Sequence, residues 1–143
     1  AKYLSRQVVL VGYGRVGRRI AAALKAAGQP FVVAEQNREI VEALRAQGMA
    51  AVVGNAGEPE VLIQAHIANA RMLVVATQDT LSLPQMIDTA RTLNPGIRIV
   101  VRSHNEDEAE RLMSAGVDTV FLGEAEIAQA MARHVLAPPA PAT

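Results

Sequence analysis

Three glycines stand at the spacing G-x-G-x-x-G in Gly12-Tyr13-Gly14-Arg15-Val16-Gly17, and an acid, Glu35, follows 18 residues beyond the last of them. Each position suits one part of a phosphate-linked adenosine. Gly12 permits a tight turn, Gly14 lets the backbone approach a pyrophosphate, and Gly17 lets the following helix pack closely on a sheet. The free N–H groups and the positive end of that helix then hold phosphate oxygens. Tyr13, Arg15 and Val16 fill the intervening positions. Arg15 and Arg18 either steady the phosphates or remain solvated in the first helical turn. Glu35 accepts hydrogen bonds from ribose hydroxyls and repels a 2′-phosphate, which points to NAD(H) or AMP/ATP rather than NADP(H). Arg38 supports the opposite choice, because an Arg near this position accepts the extra phosphate. Gln36 completes the candidate set beside Glu35.

Such a loop acts only if a strand delivers it and a helix leaves it, and the flanking residues meet that requirement. Val8 to Val11 predicts a strand, and Val16, Ile20, Ala23, Leu24 and Ala27 fall on one helical face. The alternation then repeats. Strands are expected at Phe31–Ala34, Ala50–Val53, Met72–Ala76, Ile97–Val101 and Thr119–Leu122. Helices are expected around Ile40–Leu44, from Pro59 to Ala65, around Met86–Leu93, at Ala109–Ala115 and at Glu124–Val135. Asp107, Glu108 and Glu110 suit a solvated first helical turn. Six strands and six helices with right-handed crossovers fit a Rossmann-like, doubly wound α/β fold of three layers. Its parallel six-stranded sheet should have the order 3-2-1-4-5-6, with ligands bound where the order reverses.

Composition agrees and narrows the function. Half of the 143 residues are hydrophobic but only 3% are aromatic, so the core must be built mainly from Ala, Val, Leu and Ile. That palette suits helices laid on a parallel sheet buried on both faces. Without cysteine there is no disulfide and no thiolate metal ligand. His66, His104 and His134 lie too far apart to show metal-ligand spacing, so no metal is expected. Fourteen basic residues balance fourteen acidic ones, which argues against a nucleic-acid partner. So do the four aromatics, Tyr3, Tyr13, Phe31 and Phe121, too few for base stacking. No apolar run approaches the ~18–20 residues of a membrane span, and no signal peptide is evident. One domain is expected over residues 1–136, with a Pro/Ala-rich tail or linker over 137–143. The start at Ala1 fits either ordinary removal of an initiator Met or a domain cut from a longer chain.

From Gln7 to Leu136 the chain resembles the RCK/TrkA-N family, cytosolic nucleotide-sensing domains of potassium channels and uptake systems. Within it the chain is most similar to the domains that end Kef-type cation/proton antiporters. The resemblance rests on Val9-Leu10-Val11-Gly12-Tyr13-Gly14-Arg15-Val16-Gly17-Arg18, Val53-Gly54-Asn55-Ala56, Val74-Val75-Ala76-Thr77 and Val101-Arg102-Ser103-His104. It implies that Asn55, Ala56 and Thr77 line a nucleotide pocket, with Asn55 where the family often has Asp. It implies that Arg102 sits near a cleft for ligands or partners, with His104 on the same ligand-facing edge. On the residues alone, Asn55 equally caps a helix, Thr77 equally ends an apolar strand, and Arg102 equally pairs with Glu106 or Asp107. The family's dimers form through late helices. That makes Ile127, Ala130, Met131 and Val135 candidates for a homodimer surface, packing on the chain's own sheet being the alternative.

The same elements bear on catalysis. Six βα units use nearly the whole chain, and no His–carboxylate, Tyr–Lys or Ser–His cluster stands at a strand end. A regulatory, non-enzymatic domain is therefore expected. By the resemblance it would gate a potassium/proton antiporter whose transmembrane part adjoins it, on the cytoplasmic face of the bacterial inner membrane. The alternatives are the cofactor lobe of an NAD-dependent oxidoreductase and a free-standing potassium-uptake subunit acting in trans.

Overall fold

Parallel strands covered on both faces must be apolar at every position, and β1 (Val8–Val11) is fully buried along its four residues. It lies at the centre of the sheet and pairs in parallel with β2 (Phe31–Glu35) and β4 (Met72–Val75). Beyond β2 lies β3 (Ala51–Val53), and beyond β4 lie β5 (Arg98–Ser103) and β6 (Thr119–Leu122). The order is β3-β2-β1-β4-β5-β6, the expected doubly wound sheet. The computed structural model describes residues 6–140. Ala1, Tyr3 and the last residues of the expected tail, 141–143, lie outside them.

The pleat sends alternate side chains into two apolar layers. On one face Leu10 and Val33 meet Ala21 of α1 (Arg15–Ala26) and Val41 and Leu44 of α2 (Arg38–Ala46). On the other, Val9, Leu73 and Ile99 meet Leu62 of α3 (Pro59–Gln64), Met86 of α4 (Leu83–Leu93) and Leu112 of α5 (Glu106–Ser114). Fully burying each such aliphatic side chain contributes about 1.5–3 kcal/mol. Ala21 and Ala90, almost completely buried, let helices approach the sheet without aromatic bulk.

Three local features differ from the sequence expectation. A short 3₁₀ turn at Ile67–Asn69 precedes β4, held by the Asn94 amide, which donates to the carbonyls of Ile67 (3.0 Å) and Ala70 (2.8 Å). Helix α5 begins at Glu106 rather than Ala109, because Asn105 Oδ1 accepts the Glu108 N–H at 2.7 Å and caps the acidic turn. β5 continues to Ser103, so Arg102 is a strand residue paired opposite Phe121, not part of the following loop. The last helix, α6 (Gly123–Leu136), is capped by no side chain and buries none of its residues. Ala137 then turns the chain into an extended conformation.

At the end of the sheet away from the glycine loop, Gln7 is fully buried. Its Nε2 donates to the carbonyls of Ala65 and His66, both at 3.0 Å, where the chain leaves α3 through His66 in the left-handed region (φ 59°). The His66 carbonyl also accepts the Asn69 N–H at 3.1 Å, whereas the Ala65 carbonyl is one of the orphan acceptors at the end of α3, and a buried carbonyl left unpaired costs about 1–3 kcal/mol. Gln7→Leu preserves size while removing both hydrogen bonds. It is expected to lower stability by about that amount in urea denaturation, and an unchanged midpoint would contradict the role given to this amide.

Candidate functional site

The sheet order reverses between β1 and β4, and the carboxyl ends of β1, β2 and β4 open there into two adjoining hollows. Gly12 makes the exit from β1 with φ +97°, a conformation that favours glycine. A Cβ on it would lie 2.9 Å from the Thr77 nitrogen, so the turn is pressed against the end of β4. Gly17 is buried, and a Cβ there would lie 2.0 Å from the Gly12 carbonyl oxygen. The first turn of α1 therefore rests directly on the loop. Gly14 is different: a Cβ on it would meet nothing within 4 Å. The space before Gly14 is open, as the approach of a ligand to the backbone requires.

Helix α1 begins at Gly14 with no side-chain cap and no acid in its first turn. Helices α2 and α5 differ, each carrying an Asn cap and acidic residues. The uncapped start of α1 thus borders the hollow with Arg15 beside it, an arrangement suited to an anion.

Glu35 ends β2 and is half-buried. Its Oε1 accepts the Tyr13 N–H at 3.0 Å and its Oε2 accepts the Asn37 N–H at 2.6 Å. One carboxylate thereby ties the β1–α1 loop to the β2–α2 loop. Each oxygen keeps a second lone pair for a further donor such as a ribose hydroxyl.

The larger hollow, about 360 Å³, is lined by Gly12, Tyr13, Gly14 and Arg15, by Glu35 and Thr77, and by Arg102 from across the switch point. That volume falls within the usual small-molecule range of about 300–1,000 Å³. The smaller, about 70 Å³, is lined by Gln36, Asn55 and Ala56 together with Gly12, Glu35 and Thr77, which border both hollows. Of the sequence-derived residues, Val16, Gly17 and the exposed Arg18 line neither. Val16 packs into the layer beneath α1, and Gly17 supports the loop. Arg38 starts α2, is exposed, and lines neither hollow.

His104 is not brought to Arg102. It lines a separate hollow with Asn105, Glu106, Asp107, Leu122 and Glu124, because β5 ends between the two residues and sends them apart. Arg102 makes no ion pair with Glu106 or Asp107; among the described residues the salt bridge is Arg91–Asp118, 3.0 Å. His66 is exposed. Among the described residues no group of three His, Asp or Glu side chains is placed to hold a metal ion.

Sequence reasoning missed Gln78 and Asp79, which line the larger and the smaller hollow respectively. Asp79 N–H donates to Thr77 Oγ1 (3.2 Å), and Asp79 Oδ1 accepts the Leu81 N–H (3.1 Å), turning the chain back into α4. The available signal was the polar triplet Thr77-Gln78-Asp79 directly after an apolar strand, where α/β sheets place their ligands. A further concavity, an apolar groove of about 650 Å³, runs between α4 and α5 past Leu81, Pro84, Ile87 and Leu112.

Known proteins share this architecture. The TrkA-N domain description matches residues 8–123. The Escherichia coli (strain K12) protein YbaL, named for cation/proton antiport, is 36% identical over 137 residues; the match covers 96% of this chain and 25% of YbaL. The chain therefore spans about a quarter of that relative's length. The crystal structure of the TrkA-N domain of Escherichia coli inner membrane protein ybaL superposes with a TM-score of 0.87, covering 94% of this chain and 98% of that one, at 36% identity. The Kef C-terminal domain of Shewanella denitrificans, solved in an AMP-bound form, shares the fold at 21% identity and a TM-score of 0.77, covering 91% of this chain and 78% of that one. The GsuK channel bound to NAD shares it at 22% identity and 0.74, over 87% and 22%. By its glycine loop, its sheet order and this match across most of its length, the chain belongs to the TrkA-N domain family.

Proposed function

We propose that this domain is a non-catalytic regulatory module that binds an adenine nucleotide, NAD(H) or AMP/ATP, and that its occupancy gates an attached potassium or other monovalent cation/proton antiporter. The observation that carries the reading is the open front of Gly14 at the uncapped start of α1, with Glu35 fixed at the end of the neighbouring strand. Phosphates would lie against the N–H groups from Gly14 to Gly17 beside Arg15. The ribose would lie on Glu35, and the base over the ends of β2 and β3 near Gln36, Asn55, Ala56 and Thr77. Among solved neighbours of this fold are a Kef domain with AMP and the GsuK channel with NAD.

No His, Lys or Cys lines either hollow among the described residues, both oxygens of Glu35 already accept backbone N–H groups, and one oxygen of Asp79 is taken by the Leu81 N–H. The cleft is equipped to bind and poorly equipped to move protons, which supports regulation rather than catalysis. A ligand that binds one conformation more tightly than another shifts an attached element by that difference in affinity. YbaL and its antiporter name supply the class of effector, and its inner-membrane setting supports placement on the cytoplasmic face. Among the described residues no helix is long and apolar enough to cross a membrane.

A homodimer formed through α6 belongs to the same reading. Ile127, Met131 and Val135 repeat every four residues and are 63%, 64% and 76% exposed, near β6, which among the described residues is the last strand of the sheet and carries Phe121. A second copy would cover this stripe.

Two measurements test these statements. In calorimetry with AMP and with NADH, Gly14→Val fills the open space and Glu35→Gln turns an N–H toward one of two backbone donors. Each is expected to weaken binding about tenfold or more, a loss of about 1.4 kcal/mol; unchanged affinity in both variants would overturn the site. In sedimentation, a dimer of the parent chain is expected to become monomeric on Met131→Glu, which costs little folding because the residue is exposed. A parent chain that stays monomeric at high concentration would overturn the pairing.

A further inference from the structure

The two edges of the sheet differ in charge. The carboxyl edge is mixed: Glu35, Asp79, Arg15 and Arg102 border the hollows, and acids stand in the first turns of α2, α3, α5 and α6. At the amino edge, residues 27–30, 47–50, 65–71, 94–98 and 115–118 run up to the starts of β2 to β6, and Asp118 is their only acid. Arg91 pairs with it at 3.0 Å. Lys25, Arg45 and Arg91 stand in the last turns of helices, where the helix dipole accounts for cations. It does not account for Arg6, Arg71 and Arg98, which precede or open β1, β4 and β5. These are neighbouring strands, about 4.8 Å apart, with Val8, Met72 and Arg98 level in register. Gln29 joins two of the three: its Nε2 donates to the Arg6 carbonyl and its Oε1 accepts the Arg71 Nε–H, both at 3.1 Å. A neutral amide thus orders the cluster and leaves its charge uncompensated. Arg6, Lys25, Arg71 and Arg98 are all exposed, and among the described residues none of the four has an ion-pair partner.

We propose that this amino edge is a docking surface for the anionic headgroups of a lipid bilayer. The proposal rests on the reading above that a membrane part adjoins the domain, and adds to it which side of the domain meets the membrane. The chain reaches β1 through Arg6, so any segment before that residue leaves from the same edge. Each cation near an anionic leaflet strengthens association about fivefold, and the attraction falls off within a Debye length, about 8 Å at physiological ionic strength. Over its four residues β1 rises about 13 Å. A leaflet against the amino edge therefore attracts Arg6, Lys25, Arg71 and Arg98, while the acids of the carboxyl edge lie beyond the reach of its repulsion. The hollows are left facing away from the bilayer, open to a ligand from solution.

The probes are vesicles of phosphatidylcholine alone and of phosphatidylcholine with an equal share of phosphatidylglycerol, with bound chain measured by cosedimentation at low and at high salt. The parent is expected to sediment with the anionic vesicles at low salt, to be released at high salt, and to leave the neutral vesicles bare. Arg71→Glu combined with Arg98→Glu should weaken the association about tenfold or more. Arg19→Glu combined with Arg38→Glu makes the same change in net charge on exposed positions nearer the other edge, and should leave it within about twofold. Melting temperatures of both double variants should stay near the parent's, because all four residues are exposed. No preference for anionic vesicles, or equal losses in the two double variants, would overturn the docking edge. So would a salt-sensitive assembly of the parent without vesicles that Arg71→Glu and Arg98→Glu abolish, which would assign the edge to a second copy. Calorimetry with AMP separates this proposal from the nucleotide reading. The Arg71→Glu, Arg98→Glu variant should bind AMP as the parent does, and a parent that binds anionic vesicles but no nucleotide would overturn the nucleotide site and leave the docking edge standing.

Discussion

The contact between the first turn of α1 and the loop beneath it governs the rest of the site. With no Cβ on Gly17, the helix sits against the Gly12 carbonyl at a separation no other residue allows. That contact aims the helix axis, and with it the uncapped N–H groups, at the point where the sheet order reverses. The Gly12 turn in turn lies against Thr77, so the end of β4 is positioned by the same loop. Glu35 completes the framework from the other side by holding Tyr13 and Asn37 through one carboxylate. Three strand ends are thereby fixed relative to one another by close backbone packing and one carboxylate, before any ligand arrives.

This economy explains why so much was legible in the residues. A parallel sheet covered on both faces writes its strands as continuous apolar runs, and Val8–Val11 and Met72–Val75 could be read directly. The glycine spacing located the loop because two of its glycines answer to hard steric limits. What escaped was set by side-chain hydrogen bonds that leave no periodic trace. The cap by Asn105 lengthened α5 at its start, and the Asn94 amide held a turn that no apolar pattern marks. His104 was grouped with Arg102 because the two are neighbours in sequence. A strand that ends at Ser103 separates them, and strand ends are where periodicity is least informative. Asp79 was passed over although Thr77, two residues away, was chosen. Its place became visible only when the turn into α4 folded it back over the smaller hollow.

The two halves of the molecule are built to different standards. Around β1 the core is dense, with Val9, Leu10 and Leu73 fully buried. Toward β6 it thins, and Phe121 and Met113 remain about half exposed. The scarcity of aromatics contributes, since Ala and Val cover an interior well but leave an edge strand with little to shelter behind. Most of the conformational certainty therefore sits at the β3-β2-β1-β4 side, where the candidate site is, and least at the side that faces outward.

The absence of buried side chains on α6 has a thermodynamic corollary. A helix of 14 residues is near the length at which an isolated helix in water is only marginally formed, and in folded proteins the deficit is met by packing of an apolar face. Here the chain supplies little of that packing to its own last helix. Any surface that shielded Ile127, Met131 and Val135 from water would stabilise the helical form of this segment at the same time, so that burial of the stripe and order in α6 would be coupled.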